Sequence, residues 1–232
     1  MSHHDCLRQI WIASAWCCLY GILGVAADRI HADAARMGMY LLLLLLLALH
    51  LKSRRKNDIG ILNRKICASD FTPGIPLLIF PLFCAARTGF GSAAEPIRIA
   101  AMVNLLCAAF FEEVFFRKTL AELLIPRMGR MPCIAITAAA FGLAHALLPD
   151  IAAGDRIAQC LYAASTGAIF SLLTLRSGYI FPAFAMHAAI NILAECFPTE
   201  IKSRALIAAA ALQMIYGLFL YRYCRTKGRF VI

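Results

Sequence analysis

Three ionisable side chains interrupt a run otherwise fit for a bilayer: Glu112, Glu113 and Arg117 in Ala108-Ala109-Phe110-Phe111-Glu112-Glu113-Val114-Phe115-Phe116-Arg117. A charge at the centre of a membrane helix costs roughly 2.5–3.5 kcal/mol on insertion scales, so each needs a partner, a wet cavity or a chemical task. Helical phase sorts them. Glu113 and Arg117 are four residues apart in the order that favours an ion pair, which offsets much of their insertion cost. Consecutive side chains point about 100° apart, so Glu112 is expected on a different face from that pair, available as a general base or acid.

Two further apolar runs carry His145, in Phe141-Gly142-Leu143-Ala144-His145, and His187, in His187-Ala188-Ala189-Ile190-Asn191. The spacing of four puts His187 and Asn191 on one helical face, where imidazole and amide can both donate hydrogen bonds to one point. Either histidine alone reads as an interhelical hydrogen bond. Glu112, His145, His187 and Asn191 together, on three separate apolar runs, read as a site, because ionisable groups inside membrane segments usually mark function. Glu112, His145 and His187 also make a two-histidine, one-carboxylate set that could hold a divalent metal such as zinc with an open position for water. The H-E-x-x-H pattern is absent, and metal-free chemistry without a cofactor is the expectation.

The elements that would position these groups follow from composition. The 232 residues are 62% hydrophobic and 16% charged, with a mean hydropathy of +0.74, outside the soluble globular range. Apolar stretches at about 10–27, 37–51, 71–86, 97–116, 131–148, 157–175, 178–195 and 205–221 approach the roughly 20 residues that a membrane helix needs. The fold expected is therefore all-α: one membrane-embedded domain over 1–232, a polytopic bundle of about eight transmembrane helices, with the candidate groups on spans four, five and seven. The third stretch is the weakest, since Pro73, Pro76 and Pro81 interrupt it and it could dip into the membrane and return.

Charge decides between the two. With eight crossings and a cytoplasmic N-terminus, 16 of the 23 Lys and Arg residues fall on the cytoplasmic side; a re-entrant third stretch leaves no bias, 12 against 11. Eight crossings place both termini in the cytoplasm, and for a prokaryotic chain the membrane would be the plasma membrane. The net charge of +10 sits in inter-span clusters such as Lys52-Ser53-Arg54-Arg55-Lys56 and Arg222-Tyr223-Cys224-Arg225-Thr226-Lys227, a pattern suited to membrane lipids and not to nucleic acid. Arg8 before an apolar run ending Gly24-Val25-Ala26-Ala27 resembles a signal peptide, but the charge bias favours a retained anchor. The ten cysteines are scattered without C-x-x-C and read as small buried hydrophobes. Small residues at 138–140, 142, 144, 167 and 171 would allow close helix packing, and Ser165, Thr166, Ser171 and Thr174 would bond between helices.

In chain order, Glu112-Glu113-x-x-x-Arg117, Phe141-x-x-x-His145 and His187-x-x-x-Asn191 resemble the three motifs of the CPBP (CAAX protease and bacteriocin-processing, or Abi) family of intramembrane proteases, which includes type II CAAX prenyl endopeptidases. Residues 167–178 leading into Phe181-Pro182-Ala183-Phe184 are similar to the family's approach to its last motif. The resemblance covers roughly 98–195. It implies that Glu112 activates water with help from His145, that His187 and Asn191 stabilise the oxyanion, and that Glu113 with Arg117 gives structural support. The implied substrate is a membrane-associated or lipid-modified protein or peptide. The family has been described both as metal-dependent and as glutamate-type, so the resemblance leaves that point open.

A proton-coupled transporter or relay using the same Glu and His residues is the rival reading. The chain shows no paired repeat halves or matching broken helices to support it. On straight spans with these boundaries, Glu112 and His145 would differ in depth by roughly 10 Å, which a longer fourth helix would remove.

Overall fold

The computed structural model describes Ala15, Leu19 and residues 33–52, 59–61, 66–88, 99–147, 153–197 and 201–232. Seven helical segments follow one another among these residues, and the first apolar stretch at 10–27 lies outside them apart from Ala15 and Leu19. Helix α1 spans Asp33–Lys52. Its leucine run divides by phase: Met39, Leu43 and Leu47, four apart, are buried, whereas Leu41, Leu42 and Leu45 are exposed in the manner of a lipid-facing surface.

Helix α2 starts as a turn at Ala68–Phe71, tightens to a 3-10 helix over Thr72–Leu78 and resumes as α-helix over Ile79–Thr88. Pro73 and Pro76 lack the N–H that an α-helical ladder needs, and the tighter winding occurs over those residues. The helix is not broken. Its 20 residues over Ala68–Arg87 are long and apolar enough to cross a bilayer, as are those of three later helices, and the chain is an integral membrane protein of all-helical build.

Helix α3 departs most from the sequence-based expectation. It does not end near 116 but runs 30 residues, Ile99–Met128, through a π-helical segment at Val114–Leu120. Thr119 Oγ1 donates to the Val114 carbonyl five residues back, at 3.1 Å, within that segment. Arg117 and Lys118, which follow the apolar stretch and count among the cytoplasmic-side cations when it ends at 116, are 1% and 3% exposed inside the bundle, so Arg127 and Arg130 are the cations left near the next turn. The reason is pairing: each of the two buried cations has a carboxylate four residues away on the same helix.

Gly129, at φ +79°, turns the chain, and helix α4 begins at once with Arg130–Ala144, followed by a 3-10 turn His145–Leu147. Phe116 packs edge-on against Phe141, and Cys133 Sγ approaches the Ala121 carbonyl, so α3 and α4 lie antiparallel. Glu112 and His145 are 17 and 16 residues from Gly129, a height of about 25 Å on each helix at 1.5 Å per residue. The longer α3 therefore removes the expected depth mismatch.

Helix α5, Ala153–Ser177, packs against α4, against α6 (Phe181–Cys196) and against α7 (Ser203–Thr226). At the α4–α5 crossing a Cβ on Gly142 would lie 2.6 Å from the Cys160 carbonyl oxygen and 2.7 Å from Ala164 Cβ, so only glycine permits this approach. Residues 59–61 bind the core at two points. Gly60 exchanges backbone hydrogen bonds with Gly178 and Ile180 at 2.9 and 3.0 Å, while the Ile59 N–H donates to Glu122 Oε1 at 2.9 Å and Lys118 Nζ donates to the Ile59 carbonyl. The seven described cysteines are all unbridged; Cys133 and Cys224 are buried as expected of small hydrophobes, but Cys67 is exposed.

Candidate active site

Glu112 and Glu113 end the regular α-helical part of α3, directly before the π segment. Both reach one imidazole. Glu113 Oε1 lies 2.9 Å from His187 Nδ1, and Glu112 Oε2 lies 3.6 Å from His187 Nε2. This corrects the phase argument, under which consecutive glutamates could not serve one place: a ring standing between two helices has a nitrogen on each side, and each carboxylate meets a different one. Because an ionised carboxylate can only accept, the Nδ1 position carries the proton of the Glu113 hydrogen bond.

Glu113 also forms the ion pair with Arg117, Nε to Oε2 at 3.2 Å, with both side chains fully buried. That contact lacks hydrogen-bond alignment, so its attraction is mainly charge on charge. The Arg117 guanidinium is boxed by aromatic faces, 4.3 Å from the Phe141 ring centre, 5.3 Å from Phe170 and 5.5 Å from Phe116, and its Nη2 donates to the Gly167 carbonyl at 3.2 Å. Gly167 is small for a reason. A Cβ there would sit 3.0 Å from both Arg117 Nη2 and the Phe141 ring. A hydroxyl pair, Thr137 and Ser171, joins α4 to α5 at 3.1 Å in the same layer.

The histidine rings are fixed by the same aromatics. Phe170 stacks on His187 at 5.2 Å, and Phe141 meets it edge-on at 5.5 Å. His145, at the C-terminal end of α4, holds Nδ1 at 2.9 Å from the Phe141 carbonyl, so Nδ1–H donates and Nε2 is left with its lone pair. His145, His187 and Asn191 line one cavity of about 600 Å³, walled otherwise by α2, α5, α6 and α7. Glu112 stands behind its rim at His187, 9% exposed. The four residues singled out by spacing thus converge on one region, and the two support residues stand behind them.

Metal binding can be tested against this donor set. His187 turns Nδ1 to Glu113 and His145 turns Nδ1 to a backbone carbonyl, an arrangement that leaves each Nε2 able to ligate, but among the described residues no three His, Cys, Asp or Glu side chains are grouped to hold an ion. Glu112, His145 and His187 do not form a three-ligand cluster, and no step below passes through a metal.

Residues 94–193, which contain every one of these side chains, match the family model described as type II CAAX prenyl endopeptidase, Rce1-like. This segment is Rce1-like. The match agrees with the CPBP resemblance and supports, in general terms, a CAAX-type intramembrane endopeptidase. Comparison with curated proteins finds no match to the chain.

Sequence reasoning passed over the Lys118–Glu122 pair, 3.0 Å apart and almost fully buried, although its opposite charges four apart were a signal. It was hidden by ending the span at 116. Phe170 falls in the 167–178 run that resembles the family, but one phenylalanine among 15 has nothing of its own to mark it as the ring stacked on His187.

Proposed function

We propose that the chain is an intramembrane endopeptidase that hydrolyses a peptide bond in a membrane-associated or lipid-modified protein or peptide, with Glu112 as the general base. The observation that carries this reading is the placement of Glu112 and Glu113 on the two nitrogens of His187, beside a cavity that also holds His145 and Asn191. Glu112 takes a proton from water as the water oxygen bonds to the scissile carbonyl carbon. His145, with its Nε2 lone pair held available, orients that water. The carbonyl oxygen becomes an oxyanion and accepts from the Asn191 amide and from His187 Nε2, which can donate when the ring holds a proton on each nitrogen. Collapse of the tetrahedral intermediate breaks the C–N bond, and the proton held by Glu112 passes to the leaving amine.

Glu113 acts through His187 and touches no substrate atom. By accepting from Nδ1 it fixes the ring's orientation and leaves Nε2 towards the reacting centre, while Arg117 neutralises the carboxylate that does so. The matched family's name supplies the probe, a farnesylated peptide ending in a CAAX sequence. Reconstituted wild-type protein should release a new C-terminal fragment from it, identified by mass spectrometry. Glu112→Gln should slow this by about 100-fold or more with an unchanged unfolding temperature. Full activity in Glu112→Gln would refute the mechanism, and an intact peptide with wild-type protein would refute this substrate class.

A further inference from the structure

The cavity has a second polar surface, on helix α5. Helix α5 presents Gln159, Tyr162, Thr166 and Phe170 to it, a stripe at helical spacing that ends where Phe170 stacks on His187. The three polar residues cover about 10 Å along the helix axis, close to the length of three residues of extended chain. Tyr162 and Thr166 are 9% and 4% exposed at membrane depth, where a polar group without a partner is costly.

Their support comes from α7, outside the family-matched segment. Gln213 Oε1 accepts from Thr166 Oγ1 at 3.0 Å and from Ser165 Oγ at 2.6 Å, and Gln213 and Thr166 stand within hydrogen-bonding reach of the Tyr162 hydroxyl. Thr166 Oγ1 also lies 2.9 Å from the Tyr162 carbonyl, so its one proton is shared between these two acceptors within the protein, and towards the cavity its oxygen can only accept. Tyr162 supplies an O–H donor, and Gln159 supplies both functions. Alternating donors and acceptors at this spacing match a polypeptide main chain.

We propose that Gln159, Tyr162 and Thr166 form a ladder that hydrogen-bonds the main chain of an extended substrate segment beside the scissile bond, with Gln213 as its positioning residue. The proposal rests on the endopeptidase reading above. Interhelical adhesion alone would also explain the bonds to Gln213, and the structure contains the control that separates the two. Ser165 and Thr166 donate to the same oxygen, but Thr166 faces the cavity and Ser165 faces the groove between α4, α5 and α7.

Cleavage of the farnesylated peptide should show KM raised about five- to tenfold in Thr166→Val and in Tyr162→Phe, with kcat within about twofold of wild type. Thr166→Ser should restore KM, and Ser165→Ala should leave both constants unchanged. Unchanged KM in Thr166→Val and Tyr162→Phe, or equal effects of Ser165→Ala and Thr166→Val, overturns the ladder while leaving the endopeptidase reading intact. Fluorescence anisotropy of the labelled peptide on Glu112→Gln protein, with and without Thr166→Val, gives the same answer without turnover. A five- to tenfold weaker Kd supports the ladder, and an unchanged or unmeasurable Kd in both proteins rejects it, whatever wild-type turnover shows about the activity itself.

Discussion

Helix α3 contains two buried ion pairs of the same spacing and opposite order, Glu113 with Arg117 and Lys118 with Glu122, and they do different things. The first faces the core, where its carboxylate also accepts from His187 and its cation lies among three aromatic rings. The second faces the backbone of residue 59, with the lysine on its carbonyl and the glutamate on its N–H. The first orients His187. The second fastens a chain segment to the outside of the same helix. A buried pair is weak ground for stability in itself, so its role has to be read from what else each partner touches.

The largest effect should come from breaking the first pair. Glu113→Gln leaves Arg117 charged and uncompensated in the core, which should lower stability by about 3–5 kcal/mol and slow peptide cleavage by about 100-fold or more. Thermal unfolding in detergent and the cleavage rate measure the two separately. Adding Arg117→Met should recover much of the stability but little of the rate, because a neutral amide lacks the negative charge that faces His187; recovery of both would show that Glu113 serves only its arginine.

Next in size is the joint variant Lys118→Met with Glu122→Met. It should lose about 1–3 kcal/mol by freeing the backbone of Ile59, with cleavage within about tenfold of wild type. A rate loss as large as that of Glu113→Gln would erase the contrast between the pairs. Gly167→Ala presses on Arg117 and Phe141 and should cost about 1–3 kcal/mol with a several-fold slower rate, sharpening the assignment of the aromatic box to the first pair. Exhaustive chelation should leave the rate unchanged, since Glu112, His145 and His187 are not grouped as a three-ligand site. Loss of activity restored by zinc would reassign Glu112, His145 and His187 as ligands.

The all-helical membrane build was legible in the sequence because apolar runs near 20 residues have few other uses. The pairing of Glu113 with Arg117 was legible for the same kind of reason, since a spacing of four in a bilayer leaves few alternatives. What escaped was set by tertiary contact. The apolar stretch stops at 116, where Arg117 and Lys118 follow, and the burial of both beside carboxylate partners explains why the helix continues. The convergence of both glutamates on His187 depends on where α6 stands, which no local pattern in α3 encodes. The neutral cluster around Gln213 joins α5 to a helix 47 residues away in sequence, and spacing within either helix could not reveal it.

The central claim is that, of the two adjacent glutamates, Glu112 alone exchanges protons with substrate and water. Single-turnover cleavage of the farnesylated peptide by Glu112→Asp, compared with Glu112→Gln and wild type across pH, tests it most directly. A shortened carboxylate should retain slow, pH-dependent turnover whose dependence disappears in the residual activity of Glu112→Gln. Equal rates and a common pH profile for the wild type and Glu112→Gln would contradict the claim.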